Sequence, residues 1–94
     1  MLESIKKIEG INHNEFDDLI VNYIEAAKID LKNIGIVDKF LIEPNSLIKS
    51  LIITFVLSFL DTENSELYQA SYSLQKDTLR RTSEYVFKKS GNGD

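Results

Sequence analysis

Four stretches of the chain place apolar residues at helical spacing. In the first, Leu2, Ile5 and Ile8 stand three apart and Gly10 ends the pattern, which predicts a short helix over Leu2–Ile8. The second is the clearest. Phe16, Leu19, Ile20, Tyr23, Ile24, Ala27, Leu31 and Ile34 recur at steps of three and four, as one face of a long amphipathic helix does. Asn14 is suited to cap it. Glu15, Asp17 and Asp18 put negative charge in its first turn, and Lys28 and Lys32 lie late in it, as the helix dipole favours. Gly35 sits where a left-handed terminating residue is needed, so the helix is expected at about 14–34.

Ile36–Ile42 is apolar but brief, and reads as a packed connector with at most a helical turn. Pro44 then opens a third segment, because proline fits a first helical turn, with Asn45 or Ser46 as alternative caps. From Leu47 to Leu60 nearly every position is apolar. Lys49, Ser50, Thr54 and Ser58 interrupt the run, and Ser46, Ser50, Thr54 and Ser58 stand four apart and form one narrow stripe. A helix apolar on its other sides is either the centre of the core or a subunit contact. Its β-branched residues invite a strand, but its length and the period of four favour a helix. The polar run Asp61–Asn64 breaks the pattern, and Asn64 or Ser65 can cap a fourth helix at about 65–84. Its apolar face is narrower: Leu67, Tyr68, Tyr72, Leu74 and Leu79.

These elements predict an all-α fold, a small bundle of three main helices with a short N-terminal helix and a flexible C-terminal tail. One domain is expected over 1–89, with 90–94 as a disordered tail. Composition agrees: 43% hydrophobic and 28% charged residues are ordinary for a globular chain, and only four glycines and one proline leave few turns. A domain of 94 residues buries about 60–65% of the surface of its unfolded chain. That leaves room for one modest core. The start of the chain lacks a continuous apolar run, so no signal peptide is expected, and Leu47–Leu60 falls short of the roughly 20 residues a membrane span takes.

Candidate chemistry is sparse. No cysteine is present, which excludes disulfides and thiolate metal sites. His13, the single histidine, sits between two asparagines ahead of a helix and lacks partners for a metal site or a nucleophilic relay. Asp17 and Asp18 are adjacent, so on a helix they point about 100° apart and cannot share a proton. Asn12, Asn14 and Asp17 do not follow calcium-loop spacing. No cofactor, metal, small-molecule substrate or catalytic role is expected.

Net charge is −4, which disfavours binding to phosphate backbones, and most of the acid lies in the first two thirds. The cations Lys76, Arg80, Arg81, Lys88 and Lys89 gather near the C-terminus, interleaved with Tyr85 and Phe87. That cluster is either a solvated helix end matched to its dipole or a contact segment for a protein partner; nucleic acid would want more cations on one face. The polarity suggests acidic and basic faces meeting between copies or partners. A small helical regulator, antitoxin-like or DNA-binding, is the alternative, and needs two short helices around a tight turn with a basic recognition helix.

The order of segments carries a resemblance. Asp17-Asp18-Leu19-Ile20 leads into Tyr23-Ile24-Glu25-Ala26-Ala27-Lys28 and ends at Gly35-Ile36. Glu43-Pro44 precedes Leu47-Ile48, and Tyr68-Gln69-Ala70-Ser71-Tyr72 runs on to Thr82-Ser83-Glu84-Tyr85. Over about residues 3–87 the chain resembles the head–tail connector (head-completion, "DNA packaging") proteins of tailed phages and prophages of Gram-positive bacteria. The resemblance implies a structural virion protein, assembled in the host cytoplasm, that forms a ring of identical subunits at the head–tail junction. The ring would dock on the portal protein, extend the DNA channel without binding DNA specifically, and meet tail or stopper proteins. It implies no catalysis and no membrane partner. It points to Leu79–Lys89 as the segment that reorders on docking. Together with the basic, aromatic cluster, this nominates Leu79, Arg80, Arg81, Tyr85, Phe87 and Lys88 as the partner or oligomer interface. One departure is the residue before the proline, usually Asp in the family and Glu43 here. Glu is a poorer cap, so that helix start is expected to differ locally.

Overall fold

A computed structural model of the chain describes residues 1–82, 85 and 86. Five α-helices lie among the described residues: α1 Leu2–Glu9, α2 Asp17–Asn33, α3 Asp38–Ile42, α4 Ser46–Leu60 and α5 Ser65–Arg80. The fold is all-α. The one extended pairing among the described residues is an isolated antiparallel bridge between Ile36 and Val86.

The third segment of the sequence, α4, is the centre of the core. It packs against α1, α2 and α5, which explains why it is apolar on so many sides. Ile48, Leu51, Ile52 and Val56 are fully enclosed, and burying each such side chain is worth about 1.5–3 kcal/mol. The serine–threonine stripe does not follow one environment. Ser46 and Ser50 face solvent, whereas Ser58 is buried and gives its hydroxyl proton to the Phe55 carbonyl. The Ser58 carbonyl accepts from Ser65 Oγ at 2.7 Å, which ties the start of α5 to the end of α4.

Helix α2 buries Ile20, Ile24, Ala27 and Leu31 from the predicted face, but Phe16 and Leu19 at its start are exposed. It begins at Asp17 rather than near 14. Asn14 does not cap it, because its side chain accepts from Lys6 Nζ at 2.8 Å instead. At the other end Gly35 has φ +100°, and Gly35 N–H and Ile36 N–H donate to the Lys32 and Leu31 carbonyls. This is the paired left-handed termination the sequence predicts. The same motif closes α1 at Gly10. Within α1, Ile5 is buried but Ile8 is exposed, and the second enclosed side chain is Lys6.

The connector after α2 forms a short helix, α3, whose Phe40 and Leu41 enter the core. Glu43 is held out of the helical region ahead of proline and ends α3. The cap of α4 is Asn45, whose Oδ1 accepts from Ile48 N–H at 2.9 Å, so Pro44 precedes the cap rather than opening the helix. The glutamate–proline departure therefore does not touch the capping of α4.

Helix α5 ends at Arg80, earlier than the predicted 84. The chain turns there so that the Tyr85 carbonyl reaches Val37 N–H at 2.8 Å and Val86 pairs with Ile36. Tyr72 and Leu79 are buried, while Leu67 and Leu74, expected on the apolar face, are 68% and 71% exposed. Helix α5 meets α4 through a seam narrower than the predicted face, and its outer leucines point to solvent.

Candidate functional site

The alternation of long helices puts unlike features at opposite ends of the bundle. One end gathers the start of α4, the end of α5 and the segment behind it. The other gathers the end of α1, the start of α2 and the end of α4.

At the first end lie four of the six nominated interface residues. Arg80 and Arg81 are exposed side by side, and Arg80 makes a loose ion pair with Asp77 at 3.4 Å. Leu79 and Tyr85 are buried, so in the isolated chain they act through packing rather than as free side chains. The Tyr85 ring lies 4.7 Å from that of Phe40, and its hydroxyl accepts from Asn45 Nδ2 at 3.0 Å. One residue, Asn45, thus caps α4 and anchors Tyr85. Leu79 and Tyr85 form the floor of a shallow groove of about 200 Å³, walled by Leu47, Gln75, Thr78 and Thr82. Phe87 and Lys88, with Lys89 and the predicted tail 90–94, lie outside the described residues.

The opposite end carries a surface that the sequence analysis did not nominate. Phe16 and Phe59 are 46% and 51% exposed, with Leu19 beside them. They line a groove of about 340 Å³ with Glu9, Ile11 and Tyr23. The Phe59 ring stacks on Tyr23 with centroids 4.9 Å apart and planes 9° from parallel. Phe55 continues the contact to Tyr72, so four rings run from α2 through α4 to α5. Partial burial, reinforced by the charge of Asp61, raises the Glu9 carboxyl above its ordinary pKa. The available signal was positional: Phe16 precedes the first turn of α2, and Phe59 lies in the last turn of α4, where a neighbouring helix runs out.

Between α2 and α5, Asp30 accepts from the Tyr72 hydroxyl at 2.6 Å and from Lys76 Nζ at 3.1 Å. Burial pushes Asp30 upward, but these two hydrogen bonds and the Lys76 charge outweigh it and hold the carboxyl below its usual value. Burial first, then the bond to Asp30 and the Asp30 charge, drives the Tyr72 hydroxyl upward, so it stays a donor. This is a clasp between helices, and it engages Lys76, one of the cations a nucleic-acid reading would need.

A third groove, of about 520 Å³, runs between α2 and α3 over Ile29, Leu41 and Ile42. Its lysines are matched by acids: Lys28 lies 3.6 Å from Glu25 and Lys32 lies 3.6 Å from Asp38. It offers no net charge with which to grip an ionic ligand. His13 is exposed, with Nδ1 accepting from Glu15 N–H at 3.3 Å and its ring edge against Phe16. Among the described residues no group of three or more His, Asp or Glu is placed to hold a metal ion, and no helix is long and apolar enough to cross a membrane.

Both end surfaces are shallow and largely apolar, as protein contacts are, and Arg80 and Arg81 lie on a separate polar surface with Asp77. A search of curated proteins and a search of solved structures return no match. The family model described as phage connector protein matches residues 1–86, which bears out the resemblance to phage connectors. The chain belongs to the phage connector protein family, a family of structural proteins.

Proposed function

We propose that the protein acts at the head–tail junction of a phage particle by forming a ring of identical subunits that docks on the portal and extends the DNA channel. Tail or stopper proteins would meet its other face, and DNA would pass through without specific binding. The observation that carries this reading is the match of the phage connector family model to residues 1–86. Two apolar grooves at opposite ends of one small bundle support it, because contacts between unlike ends close into rings when the rotation permits. The end that holds the Leu79–Tyr85 floor, with Arg80 and Arg81 on the other side of α5, is the natural interface on the nominated segment. The acidic body suits a channel wall along which DNA slides.

The alternative of a small DNA-binding regulator gains nothing from the geometry. The turn between α4 and α5 carries Asp61 and Glu63, and Lys76 and Arg80 of α5 already face acids. Light scattering at rising protein concentration, followed by mixing with an isolated portal ring, tests the proposal. The expected result is concentration-dependent association and co-migration with the portal. A chain that stays monomeric throughout and ignores the portal would refute it.

A further inference from the structure

Two shallow grooves lie side by side where α2 gives way to α3. The wider runs over Ile29, Leu41 and Ile42, and a second, of about 360 Å³, lies over Gly35, Ile36 and Val37. Lys32 and Asp38 line both, so the two share a rim. The second groove is mostly apolar. Charge does not select its occupant, since Lys32 and Asp38 already face each other at 3.6 Å. The course of the chain does. Tyr85 is fixed by its ring against Phe40, by the bond its hydroxyl accepts from Asn45, and by the bond its carbonyl accepts from Val37 N–H. Val86 then bridges to Ile36 and stands so near Gly35 that an added Cβ there would lie 3.2 Å from Val86 Cγ1. Residues paired directly across antiparallel strands keep their Cα atoms roughly 5 Å apart, and the next Cα along the chain follows about 3.8 Å on. The residue after Val86 therefore starts within a side chain's reach of Ile36 and the groove around it. That residue is Phe87, the one large apolar side chain among residues 87–94.

We propose that Phe87 seats in the groove over Gly35, Ile36 and Val37 of its own chain, so that residues 85–87 strap the end of α2 to the start of α3. The place where Val86 leaves the chain selects this occupant. A segment tethered at the groove competes at an effective concentration in the millimolar range, which a free partner of the same chemistry does not match. Burying the ring there removes apolar surface of both partners from water. Residues 88–94 bring no second large apolar side chain, so the wider groove over Ile29 and Ile42 stays outside the strap. The contact lies within one chain and stands or falls apart from the ring reading. Its consequence for that reading is that Phe87 is held by its own subunit, and docking through the nominated segment has to lift it.

The chain has no tryptophan and no cysteine, so both can be introduced as single probes. Phe87→Trp supplies the only indole, and Asp38→Cys carries a nitroxide on the rim of the groove. In the chain bearing both, the indole is expected to lose most of its emission relative to the same chain with a diamagnetic label. The loss should persist on dilution to concentrations where light scattering reads a monomer. At that dilution a mixture of the two single variants is expected to show no quenching. Full emission in the double variant overturns the proposal, and quenching that appears only in the mixture makes a second copy the occupant and overturns it as well. Circular dichroism checks that the labelled chains keep the wild-type helical spectrum. A second measurement needs neither probe. Phe87→Ala is expected to speed hydrogen exchange at the Val37 amide roughly fivefold, while the amides of α4 keep their wild-type rates. A Val37 amide that exchanges as in wild type overturns the strap.

Discussion

At the scale of single residues, the charges that matter most are those the fold encloses. Lys6 is only 6% exposed, yet it is an ammonium. It is tolerated because Asn14 Oδ1 accepts a hydrogen bond from it and the Asp17 carboxylate lies 2.8 Å away as its counter-ion. The contact with Asp17 is Coulombic rather than a well-directed hydrogen bond, since that oxygen lacks an aligned donor. Lys6→Ala strands the carboxylate and is expected to cost about 2 kcal/mol, measured by urea unfolding at pH 7. Asp30 makes a pH-dependent contribution. Its carboxyl is held below its ordinary value, so the stability it adds is present above about pH 4 and is lost as pH falls through the folded-state value. Asp30→Asn is expected to lower stability by about 1 kcal/mol at pH 7, a modest figure because the site is partly exposed. Thermal melts across pH should show the gap between variant and wild type closing below about pH 4.

At the scale of elements, the junction of α2, α3 and the segment after α5 depends on one backbone conformation. Gly35 at φ +100° ends α2, and a Cβ added there would stand 3.2 Å from Val86 Cγ1. Gly35→Ala therefore combines left-handed strain with pressure on Val86. It is expected to cost about 1–2 kcal/mol and to speed hydrogen exchange at the Val37 amide, whose acceptor is the Tyr85 carbonyl. The same junction explains the early end of α5. Continuing the helix to 84 would carry Tyr85 away from Phe40 and Asn45, and the buried ring contact prevails over local helix propensity.

At the scale of the whole molecule, one helix is enclosed by three others while its two ends remain apolar and open. This separates residues that hold the monomer from residues available to a neighbour. Ile52→Ala, at the enclosed middle of α4, is expected to lose about 3 kcal/mol of unfolding free energy. Leu74→Gln, on the outer side of α5, should stay within about 0.5 kcal/mol of wild type. A parallel urea series on the two variants reads both outcomes. A large loss in Leu74→Gln would mean that this leucine is enclosed after all.

How much was legible follows from the same separation. Hydrophobic period, the capping asparagine at 45, and the glycines at 10 and 35 are local signals, and each stands where the helices begin or end. The order of segments also carried the family, because family likeness is a property of sequence. The sequence by itself thus determined an all-α bundle and a connector identity, and left the third segment as either core centre or subunit contact until its packing against α1, α2 and α5 placed it at the core. It did not determine which side of each helix the neighbours cover. Phe16, Leu19, Leu67 and Leu74 repeat as regularly as buried residues do, yet they are exposed, because burial depends on where adjacent helices run out. Lys6 looks like a solvent residue and is enclosed, because its partners Asn14 and Asp17 lie in the loop after α1 and at the start of α2. Only the tertiary structure decided these placements. Periodicity is set within one helix, whereas enclosure, charge pairing and the two open ends are set by contacts between helices distant in sequence.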